Sequence, residues 1–227
     1  PWRRSLGRRS FARECSGVRG TGKGRLRGTR QPPSCTPMLN DRSTTLSLLA
    51  NRRSGKPRDM VAPGPDAGQL AEILRIAARV PDHGKLAPWR FVTVAPDRRA
   101  AFGDMLVAAY LVDRPEARAN ELDEIRTFAA QAPTLVVVVS HVDRTSKIPA
   151  WEQELSAGAA CALLVTAATA SGFVAGWLTG WAAYSDAVIA SVGEAGDRIA
   201  GFVFIGSPAR DLDERPRPEM AAITSAW

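Results

Sequence analysis

Three groups of side chains in this chain are of types that could meet a ligand, and one of them suits a phosphate. Arg52-Arg53-Ser54 follows a short apolar helical pattern and leads into a loop. A guanidinium offers phosphate a two-pronged fork, and a serine hydroxyl adds a third hydrogen bond. The triplet equally suits a solvated cationic pair closing a helix, where the dipole favours positive charge, and local sequence by itself favours that plainer role. Arg79 and His83 bracket Pro81-Asp82 where a longer helical pattern stops. A lone histidine there is more often held by a structural partner than engaged with a ligand. Gly176-Trp177-Leu178-Thr179-Gly180 closes a strand-like run, and its glycines would let backbone approach a ligand closely.

Other motifs fail on chemistry. Gly17 to Lys23 spells Gly-x-x-x-x-Gly-Lys, but Gly24 stands where a magnesium-binding hydroxyl is needed, with no strand before it or helix after it. No Rossmann glycine fingerprint follows a strand. His83 and His141 are far apart and no Cys-x-x-Cys occurs, so no metal site is expected. Glu152 and Glu154 are two apart on a helical pattern and point about 200° from one another, which rules out a hydrolytic carboxylate pair. They read instead as favourable charges in a first helical turn. Cys161 lies in an apolar run and reads as a small buried hydrophobe rather than a nucleophile.

The elements that must position these groups follow from periodicity and punctuation. Leu46–Leu49 reads as a short helix, and residues 56–65, with three prolines and a glycine, as a loop. Asp66 is a plausible N-cap for a helix through Ala78, ended by Pro81. Residues 91–95 form a strand, followed by helical patterns at 97–111 and 115–130. Thr134–Val142 is a β-branched run of the kind buried on both faces of a sheet. Trp151–Ser171 is a long helix, apolar nearly all round and therefore central. Strands at 173–177 and 199–205 flank a short helix at 185–193, and residues 210–227 are Pro-broken, ending apolar. Helices interleaved with four strands predict an α+β (mixed α/β) core.

At 227 residues the length suits one substantial domain with appendages. Residues 1–37 hold ten Arg/Lys against Glu14, a net +9; since the whole chain is +7, the remainder is −2. The basicity belongs to this tail, whose composition cannot offset the entropy of ordering it. Met38 directly precedes the first orderly segment and reads as the natural start, making 1–37 upstream sequence and 38–227 the domain. The alternatives are a basic nucleic-acid arm, with salt-sensitive binding, or a transit peptide, though periodic apolar residues for a transit helix are missing. Apolar stretches such as Leu135–Val139 fall well short of the ~18 residues that span a bilayer. With Cys161 as the one core cysteine no disulfide framework forms, which fits a reducing cytoplasm.

The order of these segments resembles the FMN-dependent nitroreductase family, in its small single-domain NAD(P)H nitroreductase branch. Arg52-Arg53-Ser54, Arg79-x-Pro81-Asp82-His83, Pro88-Trp89, Lys147 to Gly158, Gly176-x-Trp177-x-x-Gly180 (with x marking the unmatched positions) and Gly206-Ser207-Pro208 carry the resemblance over about residues 46–210. It implies a nitroreductase-like fold: a central mixed β-sheet flanked by helices around the long apolar helix, in a homodimer. It implies FMN held by Arg52, Arg53, Ser54, Trp177, Leu178 and Thr179, with Arg210 adding phosphate charge. Arg79 and His83 would reach the flavin bound mainly by the other subunit. NADH or NADPH as donor is implied at Ala167, Ala168, Thr169, Ala170, Ser171 and Gly172, with nitroaromatics or quinones as acceptors. The flavin carries the chemistry, so no catalytic side chain is expected. Leu178 replaces the arginine usual after the family's Trp, removing one cation. A flavin-binding sensor or carrier without turnover is the alternative from another class.

Overall fold

The computed structural model describes residues 38–227. The expectations about residues 1–37 lie outside the described residues. Element boundaries largely follow the punctuation in the sequence. Helix α1 (Thr45–Asn51) is capped by Thr44, whose hydroxyl accepts the Ser47 N–H at 3.0 Å. Strand β1 (Met60–Val61) is a two-residue pairing inside the proline-rich stretch expected to be loop. Helix α2 (Ala67–Ala77) starts with a capping box: the Asp66 carboxylate accepts the Gln69 N–H at 2.8 Å, and the Gln69 side chain accepts the Asp66 N–H at 3.0 Å. Both orphan donors are thereby satisfied.

Strand β2 (Trp89–Val94), helices α3 (Arg99–Asp113) and α4 (Ala119–Ala130) and strand β3 (Thr134–Ser140) follow. The central helix α5 spans Ala150–Ala170, then come β4 (Val174–Leu178), α6 (Asp186–Val192), β5 (Arg198–Pro208) and a last turn, α7 (Met220–Ile223).

The sheet corrects one expectation. Every strand pairing among the described residues is antiparallel, so the sheet is not mixed. The β3–α5–β4 crossover does leave β3 and β4 running in the same direction. Strand β5, arriving last, inserts between them and pairs antiparallel with both. Alternation of strand and helix along the chain reports the crossover but not a later strand's insertion. The architecture remains α+β, with helices on both faces.

Strand β3 is buried on both faces, as its β-branched run predicts. Leu135, Val137 and Val139 join Leu106, Ala129 and Phe202 on the α3/α4/α6 side. Val136 and Val138 meet Ile73, Leu164 and Ala168 of α2 and α5 on the other. Phe128 packs edge-on against both Phe202 and Phe204, with centroids 5.3 Å apart in each case, an arrangement worth more than area burial alone. Arg99 is buried without a carboxylate partner; its guanidinium donates to the carbonyls of Val94, Ala129, Gln131 and Ala132. Burial pulls its pKa down to about 10, so it stays protonated and ties the end of α4 to the end of β2. Cys161 is fully buried, and desolvation pushes its thiol up to about 12, the inert state expected of it.

Candidate functional site

The Arg-Arg-Ser segment leaves α1 as an extended strap lying on the edge of β4. Its main chain is fastened by the Gly55 N–H donating to the Ala175 carbonyl at 3.2 Å. Two glycines make the contact possible. A Cβ on Gly176 would sit 2.6 Å from the Gly55 carbonyl oxygen, and a Cβ on Gly55 would collide with the Val174 side chain. Backbone meets backbone here because neither residue has a side chain. The family motifs at 52–54 and 176–180, distant in sequence, are thus neighbours along one strand edge.

Cations concentrate on this strap. Arg52 donates to the Ser54 hydroxyl at 3.2 Å. Arg53 donates to its neighbour Ser54's carbonyl at 3.1 Å and to the Asp213 carbonyl at 2.9 Å, while its own N–H donates to Asn40 Oδ1 at 2.7 Å. Arg217, from the tail after β5, donates to the Arg52 carbonyl at 3.3 Å. Arg52 is half-buried, makes no ion pair among the described residues, and has its pKa lowered, first by desolvation and then by the charges of Arg217 and Arg53. Arg217 is itself answered by Glu214 at 3.3 Å, whereas the Arg52 guanidinium keeps unused donors. That arrangement fits a phosphate. The solvated helix-capping role does not account for it.

Arg210 lines the same cleft as Arg53, Ser54 and Gly55, but its charge is matched by a short ion pair with Asp59. Arg217 was not expected from sequence; it lies in a Pro-broken tail with no motif, and its order of arrival beside Arg52 is a tertiary matter. Gly55 carried a local signal, a glycine directly after the triplet.

At the far end of β4, the Trp177 indole N–H donates to the Ala200 carbonyl at 3.0 Å, and the ring covers Gly201, where a Cβ would collide with it. The indole therefore anchors β4 to β5 and spends its donor doing so. Leu178 turns toward the core with Phe202 and Ala182, while Thr179 is exposed beside Gly180, whose φ is +88° with open space around it.

Arg79 and His83 are placed elsewhere. Both are exposed, and His83 Nδ1 lies 2.6 Å from Glu152 Oε2 in the first turn of α5. Glu154 faces away from this pair, toward Arg198 at 3.8 Å, in keeping with the angular separation read from sequence. The strap of residues 52–55 meets β4 just beyond the C-terminus of α5, whereas His83 sits at its N-terminus. A helix of 21 residues is about 30 Å long. One chain therefore does not bring Arg79 and His83 to Arg52.

The end of α5 is mostly closed to ligands within this chain. Ala167, Ala168 and Thr169 are buried, and the Thr169 hydroxyl donates to the Val165 carbonyl at 2.9 Å. Ala170, Ser171 and Gly172 are exposed, with Gly172 at φ +98° against the Arg42 guanidinium. Trp89 is a core anchor packed on Ala157 and Ala160.

The antiparallel five-stranded sheet with helices on both faces is a fold shared with solved nitroreductase-like proteins. The nitroreductase-like protein of Bacillus cereus superposes with a TM-score of 0.70 at 19% identity, over 82% of this chain and 96% of that one. A nitroreductase of Bacteroides fragilis, solved with bound FMN, superposes with a TM-score of 0.60 at 20% identity, over 80% of this chain and 98% of that one. At such identities the likeness is one of fold. Sequence carries the assignment further: residues 49–207 match the Nitroreductase family. The chain is 35% identical over 164 residues to the "Putative NAD(P)H nitroreductase YdjA" of Escherichia coli K12, covering 72% of this chain and 87% of that one. The chain belongs to the nitroreductase family and is an oxidoreductase.

Proposed function

We propose that this protein is an FMN-dependent oxidoreductase, working as a homodimer, that passes reducing equivalents from NADH or NADPH to nitroaromatic or quinone-type acceptors. The observation that carries the reading is Arg52: a half-buried guanidinium beside Arg53 and Arg217 that makes no ion pair among the described residues. Arg52 and Ser54 would hold the phosphate and neighbouring polyol oxygens, with Arg53 adding positive charge. The Gly55–Gly176 contact brings this strap close to the backbone of β4, and Thr179 with Gly180 offers a hydroxyl and open main chain further along. When bound, FMN would supply the hydride and electron chemistry; the chain's contribution is binding, orientation and charge. Cations around the site favour the reduced, more anionic flavin.

The homodimer reading rests on two observations. Arg79 and His83 stand about one α5 length from Arg52, so a site using both sets needs two copies. Trp151 and Leu155, one helical turn apart on α5, are 67% and 54% exposed beside His83. Such an apolar stripe is the kind of surface a partner covers. No helix among the described residues is long and apolar enough to cross a membrane.

The decisive experiment is the absorbance spectrum of the purified protein, followed by NADPH-driven bleaching and reoxidation with a nitroaromatic. Yellow protein that bleaches and recovers supports the reading. Yellow protein that does neither is a carrier or sensor, and protein that stays colourless after incubation with FMN overturns the flavin assignment.

A further inference from the structure

The loop carrying His83 is built to a tolerance that an exposed surface turn does not need. Gly84, Lys85 and Ala87 all have positive φ, +80°, +57° and +47°, and two of these residues bear a Cβ. Non-glycine residues persist there when surrounding contacts over-determine the backbone. Those contacts are present. The Asp82 carboxylate accepts the N–H groups of Leu86 and Ala87 at 3.1 and 2.9 Å. Ser156, one turn after Glu152 on α5, donates its hydroxyl to the Pro81 carbonyl at 2.6 Å. Gly84 lies so close to Ile148 that a Cβ would stand 3.2 Å from its side chain. The loop is thereby clamped to the start of α5, and its one imidazole meets Glu152 at 2.6 Å.

A carboxylate is an acceptor only, so the proton on this contact belongs to Nδ1 of His83. The ring is then fixed in orientation and tautomer, and Nε2 is left as its free atom on the opposite edge. We infer that Glu152 is a positioning residue for the flavin site: it holds His83 so that Nε2, rather than Nδ1, meets the flavin of the partner subunit. This rests on the flavin reading of His83 proposed above. Glu152 touches no cofactor itself and acts through the imidazole.

The test pairs a measurement on the flavin-free protein with one on the loaded dimer. Nitrogen-15 NMR of the His83 ring at about pH 9, above the ordinary histidine range, should find the proton on Nδ1 in the natural protein and a shift toward Nε2 in Glu152→Ala. FMN affinity, followed by flavin fluorescence, should fall about tenfold in Glu152→Ala. That loss should vanish when the same change is made in a His83→Ala background. Glu152→Gln, whose amide oxygen still accepts from Nδ1, should keep the tautomer and recover most of the affinity, and it serves if the alanine variant does not fold. A proton found on Nε2 in the natural protein, or an equal loss with and without His83, overturns the inference. If His83→Ala leaves FMN affinity unchanged, the flavin role of His83 falls and the inference with it. The NMR result then still judges the His83–Glu152 contact by itself, so the two failures are told apart.

Discussion

The two ends of α5 handle charge in opposite ways. At its N-terminus His83 faces Glu152 at 2.6 Å, Arg198 faces Glu154, and the intervening loop is pinned by Asp82 and Ser156. Beyond its C-terminus Arg52, Arg53 and Arg217 crowd together, and Arg52 has no carboxylate. The first region pairs His83 and Arg198 with carboxylates and over-determines the His83 loop, while Arg79 stays exposed there. In the second, Glu214 answers Arg217 at 3.3 Å, while main-chain carbonyls and the Ser54 hydroxyl hold the guanidinium groups of Arg52 and Arg53 in place. On the proposed reading, the His83 region would orient a flavin held by another copy and the Arg52 region would hold its phosphate. Folding stability and ligand affinity therefore respond differently at the two ends.

That contrast can be broken most severely at Arg52. Arg52→Ala should weaken FMN binding about a hundredfold or more, since the guanidinium that would hold the phosphate is lost. Its flavin-free form should melt no lower than the natural protein, because a repelled cation has been removed; a clear drop in Tm without flavin would show that Arg52 is structural. Gly176→Ala should act the other way, costing about 2 kcal/mol of stability as its Cβ pushes the Gly55 carbonyl from 2.6 Å. Urea unfolding measures that loss, and unchanged stability would mean the strap rests less tightly on β4. Replacing Leu178 by arginine restores the family's usual cation at a part-buried site packed on Phe202 and Ala182. About 1–2 kcal/mol of stability should go with it, and sharper flavin binding without that loss would show that the side chain reaches solvent. Leu155→Glu should shift the oligomer toward monomer in light scattering while leaving the far-ultraviolet circular dichroism intact.

A further effect is expected at alkaline pH. Cys161 has its thiol raised from 9.0 to about 12 in the folded chain, so the unfolded state releases its proton first. Folded stability is whole below the unfolded value and falls as pH rises through about 9 toward 12. Cys161→Ala should flatten that part of the decline when unfolding is compared at about pH 8 and about pH 10.5; an unaltered slope would place the alkaline sensitivity elsewhere.

Much of the fold was legible because its signals are local. Asp66 announces a helix N-cap, Pro81 and Gly172 punctuate helices, and the β-branched run through Leu135–Val139 reads as a strand buried on both faces. The two-residue β1 was hidden among prolines because its pairing with Ser207 and Pro208 leaves no periodic trace. The sheet's antiparallel character was hidden for a related reason. Which strands become neighbours depends on where β5 inserts, and β5 carries no mark of its partners.

The candidate site divides the same way. Residue type by itself left Arg52, Arg53, Ser54 and His83 in plainer structural roles; the resemblance of the ordered motifs to the nitroreductase family is what singled them and the Gly176–Gly180 segment out as site candidates. Tertiary structure alone decided that Gly55 and Gly176 lie back to back, that Arg217 returns beside Arg52, and that Glu152 lies against Nδ1 of His83. It also set the length of α5 between His83 and Arg52. Contacts between residues so far apart in sequence are set by packing, a sum over the whole core that no short window of residues contains.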